Sequence, residues 1–194
     1  MAEPIVKDPV LQTRYRFSRS TDEDGGEVQH VDMEVDPGGG VTPHIHHHME
    51  ERFTVKEGCA EFLANRKWVA AGPGETVVVP PGTRHAFRNR GDVVARVECE
   101  ARPPSTLQDF LEDAAALSRA GTFTRHGLPK RPSALLKAAV LVEDYREMVE
   151  LLFPPLPPMP VQRWVMAPLA KLGRRRGYAA RKFAQSSPHG HHGE

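Results

Sequence analysis

The stretch "PHIHHHMEERFTVKEG", Pro43 to Gly58, packs four histidines and two glutamates into its first nine residues and then runs into an apolar alternation. On a strand, residues two apart point to the same face and lie roughly 6.6 Å apart. His44 and His46 therefore aim two imidazoles at one point. The chain then turns, and "HHM" gives it room to do so. If "ERFTV" is the next strand, Glu51 shares a face with Phe53 and Val55. An acid on that inward face is costly unless it is paired or metal-bound. Glu50 is the alternative carboxylate, but a period of two sets it on the face opposite Phe53. A third imidazole is available in "PPGTRHAF", where His85 shares a face with Phe87. Three imidazoles and a carboxylate leave open positions on an octahedral divalent metal, where substrate, water or dioxygen can bind. The competing reading is a His-rich polar surface turn with an unrelated His85.

Outward from this stretch, residues 14–102 read as strands and turns. "RYRF" alternates Tyr15 and Phe17 with arginines, and "VDMEV" puts Val31, Met33 and Val35 on one face with Asp32 and Glu34 on the other. "DEDGGE", "DPGGG", "AAGPGE" and "NRGD" punctuate the chain. In "PPGT", Pro81 presets φ and Gly82 can take a positive φ, which suits a tight turn. "TVVVP" reads as a buried strand, and "VVARVEC" as a strand with Val93, Ala95, Val97 and Cys99 on one buried face. Short strands separated by turn signals argue for an all-β sandwich or barrel. After Pro103-Pro104 the period changes. "STLQDFLEDAAALSRAG" opens with a capping box from Ser105 to Gln108, repeats Leu107, Phe110, Leu111, Ala114 and Leu117 at helical spacing, and closes at Gly121. A second helix is expected over 132–153, stopped by "PPLPPMP". A third segment, Val161 to Phe183, is interrupted by Pro168 and Gly173. The organisation is a β domain over 1–104 and a helical, basic extension over 105–194.

The residues of the opening stretch and of "PPGTRHAF" resemble the cupin superfamily. Its first motif, G(X)5HXH(X)3-4E(X)6G, is matched at Gly38, His44, His46, Glu51 and Gly58. Its second, G(X)5PXG(X)2H(X)3N, is matched at Gly74, Pro80, Gly82, His85 and Asn89, after a short spacer of the kind compact microbial cupins have. The resemblance covers about residues 28–102 and extends to bacterial cupins with helical, basic C-terminal tails. It implies an all-β jelly-roll barrel with a C-terminal α-helical extension, and one divalent transition metal (Fe, Mn, Ni, Cu or Zn) held by His44, His46, Glu51 and His85. With ten motif positions filled, the surface-turn reading falls away. A barrel with an intact but vestigial or merely structural site stays open.

Around those ligands, Met33, Phe53 and Phe87, with Trp68 as a further candidate, are expected to line or underpin the cavity, first as core residues; any that face it imply an apolar or aromatic bound molecule. His47 and His48 fall in the turn, as solvated residues or, for His48, as a proton shuttle. Cys99 is expected to be buried and inert. The resemblance suits a metal-dependent enzyme, with a dioxygenase-like oxidoreductase foremost; a metal-assisted isomerase or cyclase and a non-catalytic binding module are the alternatives. It also implies a homodimer.

Composition bounds the remaining classes. The chain has 194 residues, a formal net charge of +1, 39% hydrophobic and 26% charged residues, which suits a globular domain with an appendage. Two cysteines without a CxxC pair favour a reducing compartment. "MAEPIVKDPV" lacks the basic start and apolar core of a signal peptide, so a cytoplasmic location is expected. Charge is uneven: no Asp or Glu occurs from Pro154 to Gly193, where cationic residues mix with Trp164, Leu169, Leu172 and Tyr178. Residues 161–183 fit either peripheral contact with an anionic membrane or a helix packed on the barrel or across a dimer. The breaks at Pro168 and Gly173 favour packing. No nucleic-acid recognition fold accompanies the basic cluster. The terminal "PHGHHGE" reads as a flexible tail.

Overall fold

In a computed structural model of the chain, the described residues are 5–64, 66–152 and 159–180. The expected proline stop at 154–158, the end of the basic segment at 181–183 and the terminal histidine tail lie outside them. In chain order the elements are β1 (Val6–Asp8), β2 (Thr13–Thr21), β3 (Glu27–Val35), β4 (Gly40–Ile45), β5 (Glu50–Glu57), β6 (Ala60–Ala64) and β7 (Lys67–Ala71). They continue with β8 (Thr76–Val79), β9 (His85–Arg88), β10 (Ala95–Arg102), α1 (Leu107–Arg119), α2 (Pro132–Asp144), β11 (Glu150–Leu151) and α3 (Met159–Arg175). The strands form two antiparallel sheets, ordered β1-β2-β3-β10-β5-β8 and β11-β4-β9-β6-β7. Together they make a jelly-roll barrel with a C-terminal helical region.

Alternation sets which side chains enter the barrel. Tyr15, Phe17, Val31, Met33 and Val35 from β2 and β3 are buried, joined by Phe53, Val55, Val97 and Cys99 from β5 and β10 and by Phe62 and Phe87 from the second sheet. The outward residues between them form cross-strand charge pairs. Arg14 lies opposite Glu34 in register and bonds it at 2.7 Å, while Arg16 lies opposite Asp32. Such half-exposed pairs fix register more than they add stability.

Several elements differ from the sequence expectation. "TVVV" is less buried than an apolar run suggests: β8 is a sheet edge, and Val78 points outward at 42% exposure. The last barrel strand starts at Ala95, leaving Val93 exposed in the preceding turn. The capping box does not form. Ser105 takes a positive φ of 47°, Thr106 is the N-cap, and no side chain caps it. The other end follows the sequence: Gly121 N–H donates to the Ser118 carbonyl and Thr122 N–H to the Leu117 carbonyl, the paired bonds of a Schellman stop. The second helix ends at Asp144, because residues 145–149 turn and Glu150–Leu151 pair with β4.

The third helix is unbroken through Pro168 and Gly173. Pro168 cannot donate to the Trp164 carbonyl one turn earlier, but both residues face solvent, where water can take that carbonyl. Gly173 is a contact point. A Cβ there would stand 2.8 Å from Val140 Cγ2 and 3.0 Å from the Leu136 carbonyl oxygen, so its absence lets α3 lie close along α2. Arg174 pairs with Asp144 beside this crossing. The outer face of α3 leaves Trp164, Val165 and Leu172 exposed. Among the described residues no helix is long and apolar enough to cross a membrane.

The close approach at Gly173 predicts that Gly173→Leu destabilises the protein by about 2 kcal/mol through overpacking. A denaturant titration showing an unchanged midpoint would contradict that packing.

Candidate metal centre

The ligand-bearing strands come from both sheets. His44 on β4 lies directly opposite His85 on β9, and the ladder is irregular between Val41 and His44. His46 follows two residues later on the same face. Glu51 enters from β5 in the other sheet, reached through the short turn at 46–49. The Pro80–Thr83 turn forms as the sequence implies: Thr83 N–H donates to the Pro80 carbonyl at 3.2 Å, and Gly82 has φ 75°. That conformation costs glycine little. Gly82 N–H also donates to the His46 carbonyl at 2.7 Å, tying the turn before His85 to the ligand strand. Asn89, the last motif position, is structural. Its buried amide donates to the Val35 and Val93 carbonyls.

His44, His46, Glu51 and His85 are all buried, and one donor atom from each lies within 4.8 Å of all the others. The imidazole centroids are 4.0 Å apart for His44 and His85, 4.9 Å for His44 and His46, and 5.4 Å for His46 and His85. Each Nδ1 faces a backbone carbonyl: Thr42 for His44 at 2.9 Å, Met148 for His46 at 2.9 Å and Thr83 for His85 at 2.8 Å. A carbonyl oxygen only accepts, so each Nδ1 carries a proton and the Nε2 of each ring is left to face the ligand group. This orientation prepares imidazoles as metal ligands.

The Glu51 carboxylate completes the set. Oε2 lies 2.7 Å from His85 Nε2 and Oε1 lies 3.6 Å from His46 Nε2. The 2.7 Å approach lacks hydrogen-bond alignment, and both Glu51 Oε2 and His85 Nε2 are buried without a hydrogen-bond partner. Two electron-rich atoms so placed need a shared proton or cation. Burial pushes the Glu51 carboxyl up, yet His85, His46 and His44 outweigh it and hold the group at about 2. Burial, then the neighbouring His85 and His46, bring His44 down to about 3. Burial also lowers His46, against the pull of Glu51 and the Met148 carbonyl. For His85, burial acts downward but contact with Glu51 prevails, and its pKa is raised. Three imidazoles with Nδ1 tied to carbonyls, a buried anion and two orphaned polar atoms fit a divalent transition metal.

The remaining sequence candidates separate. Glu50 is half-buried outside the group, 3.8 Å from Arg52. His47 and His48 are exposed in the turn, and His47 Nε2 lies 3.0 Å from Glu150 Oε2. Phe53 sits beneath the ligands, its ring centroid 6.4 Å from that of His85 and 5.9 Å from that of Phe87. Met33 is buried in the core on β3, two strands from β5. Trp68 does not line the interior. It lies on the outer face of β7, 38% exposed, under the Arg88 guanidinium at 3.7 Å. A second cluster, His30, Glu98 and Glu100, is half-exposed on the outer sheet face, where Lys56 and Arg102 already pair with its carboxylates.

Three contacts were not foreseen from the sequence. Phe62 closes the aromatic floor, 5.3 Å from Phe53. Cys99 is buried as expected, but its thiol donates to Glu51 Oε1 at 3.8 Å. Burial and the Glu51 charge push that thiol well above its usual value, so it stays protonated. The Met148 carbonyl reaches His46 from 102 residues away, and no local pattern announces such a contact.

Residues 31–99 match the family described as the cupin domain. This segment of the chain is a cupin domain. It is 32% identical over 87 residues to mannose-1-phosphate guanylyltransferase ManC of Salmonella typhimurium, covering 44% of this chain and 18% of that protein. It is 34% identical over 71 residues to the tetracenomycin polyketide synthase protein TcmJ of Streptomyces glaucescens, covering 37% of this chain and 48% of that one. The chain thus spans less than half the length of each of these relatives. Among solved structures it is similar to KdgF from Halomonas sp., with 18% identity, a TM-score of 0.45, and coverage of 53% of this chain and 88% of that one.

Two outcomes test the centre. Glu51→Ala and His85→Ala each abolish stoichiometric metal by elemental analysis, whereas Glu50→Ala retains it; equal loss from Glu50→Ala would reassign the carboxylate. Metal uptake also releases protons. His44 and His46, with lowered pKa values, are neutral near pH 7, while His85, with a raised one, must lose the proton it shares with Glu51. Affinity therefore rises with pH until His85 is deprotonated, with about one proton released per metal below that point. Calorimetry at acidic pH in buffers of different ionisation enthalpy reads this number, and zero on the rising limb of affinity would contradict the assignment.

Proposed function

We propose that this chain is a metal-dependent cupin enzyme acting on a small apolar or aromatic molecule, foremost as an oxygenase. The observation that carries this reading is the donor set: three imidazoles with Nδ1 held by carbonyls and one ionised carboxylate, with Phe53 beside His85 and packed against Phe62 and Phe87. A redox-active divalent metal held by His44, His46, Glu51 and His85 supplies dioxygen activation and a seat for chelating substrate oxygens. The protein's own part is fixed by geometry. Carbonyls of Thr42, Thr83 and Met148 orient the three rings ahead of binding. Glu51 supplies the one full negative charge at the centre, and the protonated Cys99 thiol steadies Oε1. The phenyl rings keep water from the apolar side of the site, where a reactive species would otherwise be quenched. The match to a protein named for polyketide synthesis supports phenolic and enolic compounds as the first substrates to offer.

The test is oxygen uptake by protein loaded separately with iron, manganese, nickel or copper, against a panel of phenols and enols. Substrate-dependent uptake with one of these metals, lost in His85→Ala, is the expected result. Turnover that is equal with zinc and consumes no oxygen would replace the oxygenase by Lewis-acid isomerase or cyclase chemistry. Saturable ligand binding without turnover would leave a binding module.

A further inference from the structure

All four ligands belong to the barrel, but the support of one does not. His44 and His85 each donate Nδ1–H to a carbonyl two residues earlier in their own stretch, Thr42 and Thr83. His46 donates to Met148, after α2. We propose that the turn from Tyr145 to Val149, together with β11, is a positioning element of the metal centre, supplied by the helical extension and required for full metal affinity. The proposal rests on the metal-centre reading above and names what holds His46 in its ligating form.

Met148 itself is firmly placed. Its N–H and that of Val149 both donate to the Tyr145 carbonyl at 3.0 Å, closing the turn. Tyr145 is buried, and its hydroxyl donates to the buried Asp113 Oδ2 on α1 at 2.9 Å. Phe110 of the same helix meets the Tyr145 ring edge-on, 5.5 Å between centroids. A continuous route therefore joins α1 to the ligand: Asp113 to the Tyr145 side chain, Tyr145 through the turn to the Met148 carbonyl, and that carbonyl to His46 Nδ1. Immediately after it, β11 pairs with the ligand strand, with Glu150 opposite Ile45 and Leu151 opposite His44, and Leu152 N–H donates to the Pro43 carbonyl at 2.9 Å. Without β11, the strand that carries His44 and leads into His46 would be a sheet edge, its backbone groups open to water and its position less defined. The cupin-domain match ends at residue 99, so this support lies outside the shared domain.

Partners that fix the ring of a ligating histidine are worth about 10–100-fold in metal affinity. Two full-length variants probe the element. Tyr145→Phe removes one hydroxyl and keeps the ring; Leu152→Pro removes the N–H that donates to Pro43. Each is read by zinc(II) affinity in chelator competition and by nitrogen-15 NMR of the His46 ring in metal-free protein, which distinguishes the Nδ1–H tautomer from exchange between the two. Wild-type His46 is expected as Nδ1–H alone. In the variants it exchanges between tautomers while His85 does not, and zinc binding weakens about tenfold for Tyr145→Phe and by up to about 100-fold for Leu152→Pro. If Leu152→Pro does not fold, the single-atom change in Tyr145→Phe carries the test. Folded variants with wild-type zinc affinity and a fixed His46 tautomer overturn the proposal. Wild-type protein with a fixed tautomer that takes up no zinc, iron or manganese upholds the positioning contact and overturns the metal reading instead.

Discussion

A buried carboxylate governs the interior of this barrel. Glu51 is 4% exposed and stays ionised because three imidazoles face it. An uncompensated buried charge costs several kcal/mol, and breaking a buried ion pair commonly costs about 3–5 kcal/mol. Every nearby backbone arrangement can be read as meeting that demand. The antiparallel pairing of β4 with β9 sets His44 against His85. The proline turn ahead of β9 places the Thr83 carbonyl behind His85, and the turn at 46–49 brings Glu51 across from the other sheet. Loss of any one of these would leave a polar group in an apolar core with nothing to satisfy it.

The two faces of the larger sheet divide the work. Its inner face supplies apolar bulk almost to the centre, through Val31, Met33, Val97 and Phe53. Its outer face is a lattice of arginines and acids in cross-strand register. Register matters more here than in most half-exposed sheets. A one-residue slip of β5 would withdraw Glu51 from the imidazoles and send Glu50 inward. The outer charge pairs, each weak by itself, act against that slip because they reward only one alignment.

What could be read from the sequence follows the range of the forces involved. Alternation and the turn chemistry at Pro81-Gly82 are local, and with the motif spacing they were enough to indicate the barrel and to separate Glu51 from Glu50. The helix stop at Gly121 was legible for the same reason. Helix N-capping failed as a guide because Ser105 takes a left-handed conformation, which its sequence context does not reveal. Pro168 and Gly173 misled in a different way. Each weakens a helix in isolation, but solvent exposure relieves the first and close packing against α2 makes use of the second. Residues 145–151 were hidden because apolar side chains at helical spacing continue past Asp144, and a two-residue strand leaves almost no periodic trace. The support of His46 was illegible for the simplest reason: a backbone carbonyl has no residue identity.

The separation of His46 from Met148 by 102 residues also orders events during synthesis. A ribosome that has released the chain as far as β10 has released every ligand side chain, and the two sheets can begin to close. The carbonyl that fixes His46, and the strand that covers β4, emerge only after α2, midway through the helical extension. A nascent barrel of this kind therefore holds a looser, incomplete set of ligands for the time needed to translate some fifty further residues, at roughly 5–20 residues per second.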